Sequence, residues 1–203
     1  MSVIPGIMSG YVARRLYADP GEQTYGAGTF SITVPDYWTH FTVELGGGGG
    51  AGGNGQSDAH YYNGGPGGDS SFNGTTAGGG KGGGGAGGSS GGAGGAGGIA
   101  LFGDEHINGD PGAHGAAVLG GAGGSTNHVL GGAGGTGGRE ASGGSIGAGG
   151  GGAGAYCRRR WARGELIPGE TYQLVVGRGG TVNAYGATKG TRGTDGQARI
   201  SWS

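Results

Sequence analysis

The chain has 203 residues, of which 64 are Gly and one is Cys, and a formal net charge of −1 from 12 basic and 13 acidic side chains. That balance gives no broad attraction to nucleic acid or an anionic membrane, and a single cysteine excludes an internal disulfide framework. No run approaches the roughly 18 apolar residues of a membrane span, and Met1 to Leu16 lacks the basic-then-apolar order of a secretory leader, so neither membrane insertion nor signal-directed export is expected.

In chain order, residues 1–28 form an N-terminal segment whose pattern suits either a strand or a short helix, closed by Pro20-Gly21. A glycine-rich domain is expected at 29–203. Thr29 to Val34 alternates apolar and polar residues and places Phe30, Ile32 and Val34 on one face of a strand. After a turn at Pro35-Asp36, His40 to Leu45 alternates again, with Phe41, Val43 and Leu45 inward. Near the other end, Pro168-Gly169 is a turn before a strand at Thr171 to Val176. A last strand at Gln197 to Trp202 puts Ala198, Ile200 and Trp202 on one face. The two pairs of strands can bond to each other across the block between them.

That block holds 50 of the glycines, between Gly46 and Gly154. Ordering a backbone costs about 1–2 kcal/mol per residue, most for Gly, whereas each buried apolar side chain returns only about 1.5–3 kcal/mol. The block must therefore stay disordered or be held by contacts between backbones. Its glycines come in runs at 46–53, 64–68, 77–88, 91–98, 120–124, 131–138 and 143–154, several with a period of three, as in Gly91 to Gly98. Polyproline II geometry has the same three residues per turn and no internal hydrogen bonds, so packed rods can bond sideways to neighbours. The expected fold is mostly β and irregular: a bundle of antiparallel polyproline or polyglycine II rods at 46–154, bracketed by antiparallel β-strands at 29–45 and 171–202, with almost no α-helix. Loops are then expected at 54–63, 69–76, 99–118, 125–129, 139–142 and 155–169.

Short motifs carry little here. With so many glycines, phosphate-loop and nucleophile-elbow patterns arise by composition; Lys81 and Lys189 are each followed by Gly, and the G-x-S-x-G matches at Gly87, Gly88 and Gly143 lack a strand-to-helix setting. Gly64 to Phe72 is one imperfect copy of a calcium-binding repeat, with Ser71 where an aliphatic residue belongs. No catalytic residue, metal site or cofactor is expected. The chemistry instead lies in polar and aromatic loop tips, which suit recognition. His60, Tyr61, Tyr62 and Asn63 offer amphipathic surface for a sugar or protein partner. Asp104, Glu105 and His106 suit a solvated acidic loop better than a metal site. Asn127 and His128 sit in a loop between glycine runs. Arg158, Arg159, Arg160 and Trp161 mix cation and aromatic, which suits a local interface or an anionic surface better than nucleic acid.

One arrangement is distinctive. A strand ending Phe41-Thr42-Val43-Glu44-Leu45 runs straight into Gly46 to Gly50, repeated Gly-Gly-X blocks follow, and Pro168-Gly169-Glu170-Thr171-Tyr172-Gln173-Leu174-Val175-Val176 and Gly193 to Trp202 close the chain. It resembles the glycine-rich domains of bacteriophage tail fibres and minor tail proteins, in the style of adhesins built on polyglycine II rods. The resemblance spans about residues 29–203 and departs from the usual order, since the PGE strand here follows the glycine blocks. It implies a non-enzymatic virion component at the tail tip or tail fibre, assembled in the host cytoplasm. Its N-terminal segment would join other tail proteins, its loops would meet a host cell-surface glycan or protein, and a homotrimer is possible. Two other readings are a purely structural tail-tip protein and an ice-binding polyglycine II protein. The charged, bulky loops disfavour the latter.

Overall fold

The computed structural model describes residues 20–55, 62–87, 90–116, 119–126, 128–139, 147–185 and 188–203. Two regions make up the molecule: a pair of antiparallel sheets and an array of glycine-rich stretches that leaves from one end of them.

The strands are β1 (Gly21–Tyr25), β2 (Gly28–Thr33), β3 (His40–Gly46), β4 (Ser70–Phe72), β5 (Thr75–Ala77), β6 (Ala100–Leu101), β7 (Glu105–Ile107), β8 (Tyr156–Ala162), β9 (Thr171–Val176) and β10 (Ala198–Trp202). There is no helix among the described residues. One sheet has the order β1-β10-β3-β8-β7 and the other β2-β9-β4-β5-β6. The four strands expected from alternation are present and pair as their patterns allow: β3 with β10, Val43 opposite Ile200, and β2 with β9, Phe30 opposite Leu174. Gly21–Tyr25, inside the stretch assigned to attachment, pairs with β10 as an edge strand.

Alternation decides the core. Phe41, Val43, Leu45, Cys157, Trp161 and Ile200 from the first sheet meet Ile32, Phe72, Leu174 and Val176 from the second, with Val34, Trp38 and Leu166 closing the margin. The rings of Phe41, Phe72 and Trp161 lie 5.4–6.5 Å apart between centroids, in the offset and edge-on arrangements aromatic quadrupoles favour.

Ten stretches form the array, the first sharing Gly46 with the end of β3: 46–55, 62–68, 78–87, 90–98, 108–116, 119–126, 131–139, 147–155, 177–183 and 188–197. Along 46–55 every N–H donates sideways, at 2.7–3.0 Å, and the acceptor rotates with a period of three. Gly46, Gly49, Gly52 and Gly55 donate to Gln197, Thr194, Thr191 and Thr188. Gly47, Gly50 and Gly53 donate to Ala155, Gly152 and Gly149, and Gly48, Ala51 and Asn54 to Gly68, Gly65 and Tyr62. Carbonyls of the same stretch accept from 80–86, 132–138 and Gly180. It is thus ringed by six neighbours. The stretch 147–155 is ringed in the same way, donating to 110–116, 132–138 and 78–84 and accepting from 92–98, 121–124 and 47–53. These bonds set the ten stretches in rows of three, four and three, with 46–55 and 147–155 fully buried inside.

An all-antiparallel bundle is not what forms. The stretches 46–55 and 147–155 are antiparallel, but 46–55 runs parallel to 80–86 and to 132–138. The reason is geometric: of three mutually adjacent stretches, two must run the same way. The expected loops also contain more order than their composition signals. β4 and β5 lie in 69–76 or at its edge, β6, β7 and a stretch of the array in 99–118, and β8 in 155–169.

Glycine is required here for close approach. None of the described array glycines has a positive φ; among the described residues that conformation occurs at Gly74, Gly164 and Gly169, with Gly28 near extended, and at Asn73 and Phe102. A Cβ at Gly50 would overlap the carbonyl of Lys81, and one at Gly151 the carbonyl of Gly50. Both obstacles are backbone and cannot rotate away.

Candidate functional site

The same alternation that fills the core turns a second set of side chains outward on the β1-β10-β3-β8-β7 sheet. His40, Thr42 and Glu44 on β3 line up with Arg158 and Arg160 on β8, Arg199 and Ser201 on β10, and Glu105 on β7. Glu44 is only 8% exposed. Its carboxylate accepts from the Tyr156 hydroxyl at 2.8 Å and from Arg199 Nε. Burial pushes its pKa up, but the hydrogen bonds from Arg199 and Tyr156 and the charges of Arg199 and Arg158 outweigh it, so the carboxyl stays below its ordinary range. Burial and the bond to Glu44 push the Tyr156 phenol well up. The His128 ring lies over Tyr156 with centroids 3.6 Å apart, and burial holds its pKa below the usual value.

Beside this network is a hollow of about 220 Å³ lined by His40, Thr42, Arg158, Arg160, Ser201, Trp202 and Ser203. Arg158 is paired at 3.5 Å with Glu105, both half exposed. The Arg160 guanidinium has no ion pair among the described residues, although its backbone N–H is held by Asp104 Oδ2 at 2.7 Å. Arg159 pairs with Glu165 at 3.6 Å and lies 5.1 Å over the Trp161 ring.

Trp161 is therefore a core residue and not a surface contact. It is 1% exposed because β8 is an inner strand and Trp161 falls opposite Phe41 on the inward face. Asp104, Glu105 and His106 are not a free loop tip either. Glu105 and His106 are on β7, and His106 Nε2 accepts from the Gly103 N–H at 2.8 Å in the turn that joins the sheets. Among the described residues no three potential ligand side chains gather around a point where a metal could sit. The Cys157 thiol is buried, and burial raises its pKa, which works against a reactive thiolate.

The far end of the array is a second surface. The bridges Asn54–Tyr62, Gly55–Thr188, Gly87–Ser90 and Ala116–Leu119 all fall there, so the chain passes between stretches at the end away from the sheets. Tyr62 stacks on Tyr185 with centroids 6.1 Å apart, and Tyr185 is 70% exposed. Asn63 Oδ1 accepts from the Gly85 N–H at 2.9 Å. Asn54, fully buried, donates from Nδ2 to the Asn183 and Tyr185 carbonyls and accepts from the Gly190 N–H at 3.0 Å, which fixes the backbone that carries Tyr185. His60, Tyr61 and Asn127 lie outside the described residues.

Of the residues singled out in the sequence, the sheet face brings together Glu105, His128, Arg158 and Arg160, while Tyr62 and Asn63 stand at the opposite end of the molecule. Glu44, Tyr156, Arg199 and His40 were missed on the sheet face, and Tyr185 at the far end. The outward phase of His40-x-Thr42-x-Glu44, set by the inward Phe41, Val43 and Leu45, is the signal that could have found the first group. Comparison with known proteins gives no match to a family model, to a curated protein or to a solved structure.

Proposed function

We propose that the chain is a structural and receptor-binding component of a bacteriophage tail, a minor tail protein or tail-fibre tip, whose far-end connections meet the host surface. One observation carries this reading: the bridges Asn54–Tyr62, Gly55–Thr188, Gly87–Ser90 and Ala116–Leu119 between stretches fall at the end of the hydrogen-bonded array opposite the sheets, with Tyr62 and Tyr185 stacked there. Rigid scaffolds that present polar and aromatic segments at one end are built for recognition. The ten stretches are polyglycine II rods in this reading. The three-residue rotation of donors and the absence of positive φ among their glycines support that geometry. The N-terminal segment would join a neighbouring tail protein. No ligand-activated chemistry is required of it.

The test is a pull-down of host cells by the purified protein. Wild type should bind, and the double variant Tyr62→Ala/Tyr185→Ala should melt at the same temperature and bind at least tenfold fewer cells. Undiminished binding by the double variant would move the contact away from the tyrosines. Absence of binding by the wild type would leave a purely structural tail-tip role.

A further inference from the structure

We infer that the hollow on the β1-β10-β3-β8-β7 sheet is a binding site for an anionic saccharide, a sugar carrying a carboxylate or phosphate group. Its link to host attachment rests on the function proposed above, but its chemistry stands on the site itself. The seven lining residues include two arginines and no acidic side chain. Arg160 has no counter-ion among the described residues, and Arg158 shares its charge with Glu105 across 3.5 Å of half-exposed space. Of the acids beside the arginines, Glu44 is occupied by Arg199 and Tyr156, Glu105 pairs with Arg158, and Asp104 accepts from the Arg160 backbone N–H; none of the three lines the hollow. An anion entering here therefore meets two guanidinium groups, which bind planar or tetrahedral oxyanions through paired N–H donors.

The other lining groups suit a sugar. Hydroxyls of Thr42, Ser201 and Ser203 surround the arginines, and His40 lies beside them. Hydroxyl groups next to a cationic pair match the hydroxyls and acid group of an acidic sugar. The volume of about 220 Å³ is that of one or two sugar rings, not of an extended polymer. The chain's own N-terminal segment is a poor occupant. Residues 1–19 carry Arg14 and Arg15 against the single acid Asp19, so they would bring like charge to the arginines.

The experiment is calorimetric titration of the full chain with four probes: trigalacturonate, the neutral trisaccharide galactotriose, inorganic phosphate and a hexaglutamate peptide. The expected result is saturable binding of trigalacturonate, at least tenfold weaker binding of galactotriose and of hexaglutamate, and weak phosphate binding that competes with trigalacturonate. The variant Arg160→Gln, whose side chain is exposed, should keep the melting temperature and lose at least tenfold in trigalacturonate affinity. Equal affinity for the variant and the parent, or for the acidic and neutral sugars, would overturn the site. Hexaglutamate binding as tightly as the sugar would overturn the saccharide assignment in favour of an acidic protein partner. The far-end tyrosines are not part of this hollow, so Tyr62→Ala/Tyr185→Ala should leave trigalacturonate binding unchanged. Loss of cell binding in that variant with sugar binding intact bears on the function above and not on this site.

Discussion

The sheets and the glycine array are held by opposite means. Between the sheets, stability comes from side chains removed from water, and Phe41, Phe72 and Trp161 dominate the contact. In the array the side chains are nearly absent, and cohesion comes from N–H···O=C bonds that each interior stretch makes in several directions. The sandwich is therefore weakened by taking atoms away. The array is weakened by adding them.

The sharpest way to break this comparison is to add atoms inside the array. Gly151→Val should give no folded protein at all, because the new side chain meets the Gly50 carbonyl and neighbouring backbone that cannot move; the cost exceeds about 5 kcal/mol. Ala93→Val, one stretch away but facing solvent, should be nearly neutral by thermal melting. A folded, stable Gly151→Val protein would mean that the array is looser than its hydrogen bonds imply. Next in size is removal from the sandwich. Phe41→Ala should cost about 3–5 kcal/mol by denaturant unfolding, since Phe41 is fully buried between three aromatic rings.

A smaller effect is expected from acid. The Glu44 carboxyl is held below its ordinary pKa of 4.5, so its contribution is complete above that pH and is lost as pH falls through the depressed native value. His128 is held below its ordinary 6.5, so its neutral form favours folding above that value, and this share fades as pH falls through its own native value. The melting temperature should be flat above about pH 6.5 and decline in two steps below it. His128→Gln should remove only the upper step. A melting temperature independent of pH down to 4 would contradict the Glu44 network. Smallest of all, Tyr185→Ala should change stability by less than about 0.5 kcal/mol, since its ring is 70% exposed.

The sandwich was largely legible because two-residue alternation is a local signal. Phe41, Val43, Leu45 and Ile200 announce their face within a few residues. The array was legible only where glycines come two in three or denser. The stretch 108–116 has them at 109, 112 and 115 alone, and all three point at the 147–155 stretch, where a Cβ would overlap the carbonyls of Ala153, Gly150 and Gly147. Gly190, Gly193 and Gly196 face 46–55 in the same manner. An outer stretch touches neighbours on fewer sides and needs fewer glycines, so its composition looks like an ordinary loop. Glycine spacing thus records position in the array, a rule visible only once the neighbours are known. On the sheet face, Arg158 and Glu105 are far apart in sequence, and Tyr156 and Glu44 meet only through pairing of β3 with β8. No local pattern announces such a cluster.

The three-residue rotation of hydrogen bonds leaves a question of alignment. Sliding one Gly-Gly-X stretch by three residues past its neighbours would restore nearly every bond, so the array alone has no means of telling one alignment from the next. Side chains that could act as stops are mostly missing. The strands supply the stops: 46–55, 62–68, 78–87, 90–98, 108–116, 147–155, 177–183 and 188–197 each begin or end within two residues of a strand. A slip of three residues would drag Phe41 or Leu174 out of its place between the sheets. The sandwich therefore works as an index that the array lacks, and the far-end connections can differ in length without disturbing which glycine meets which.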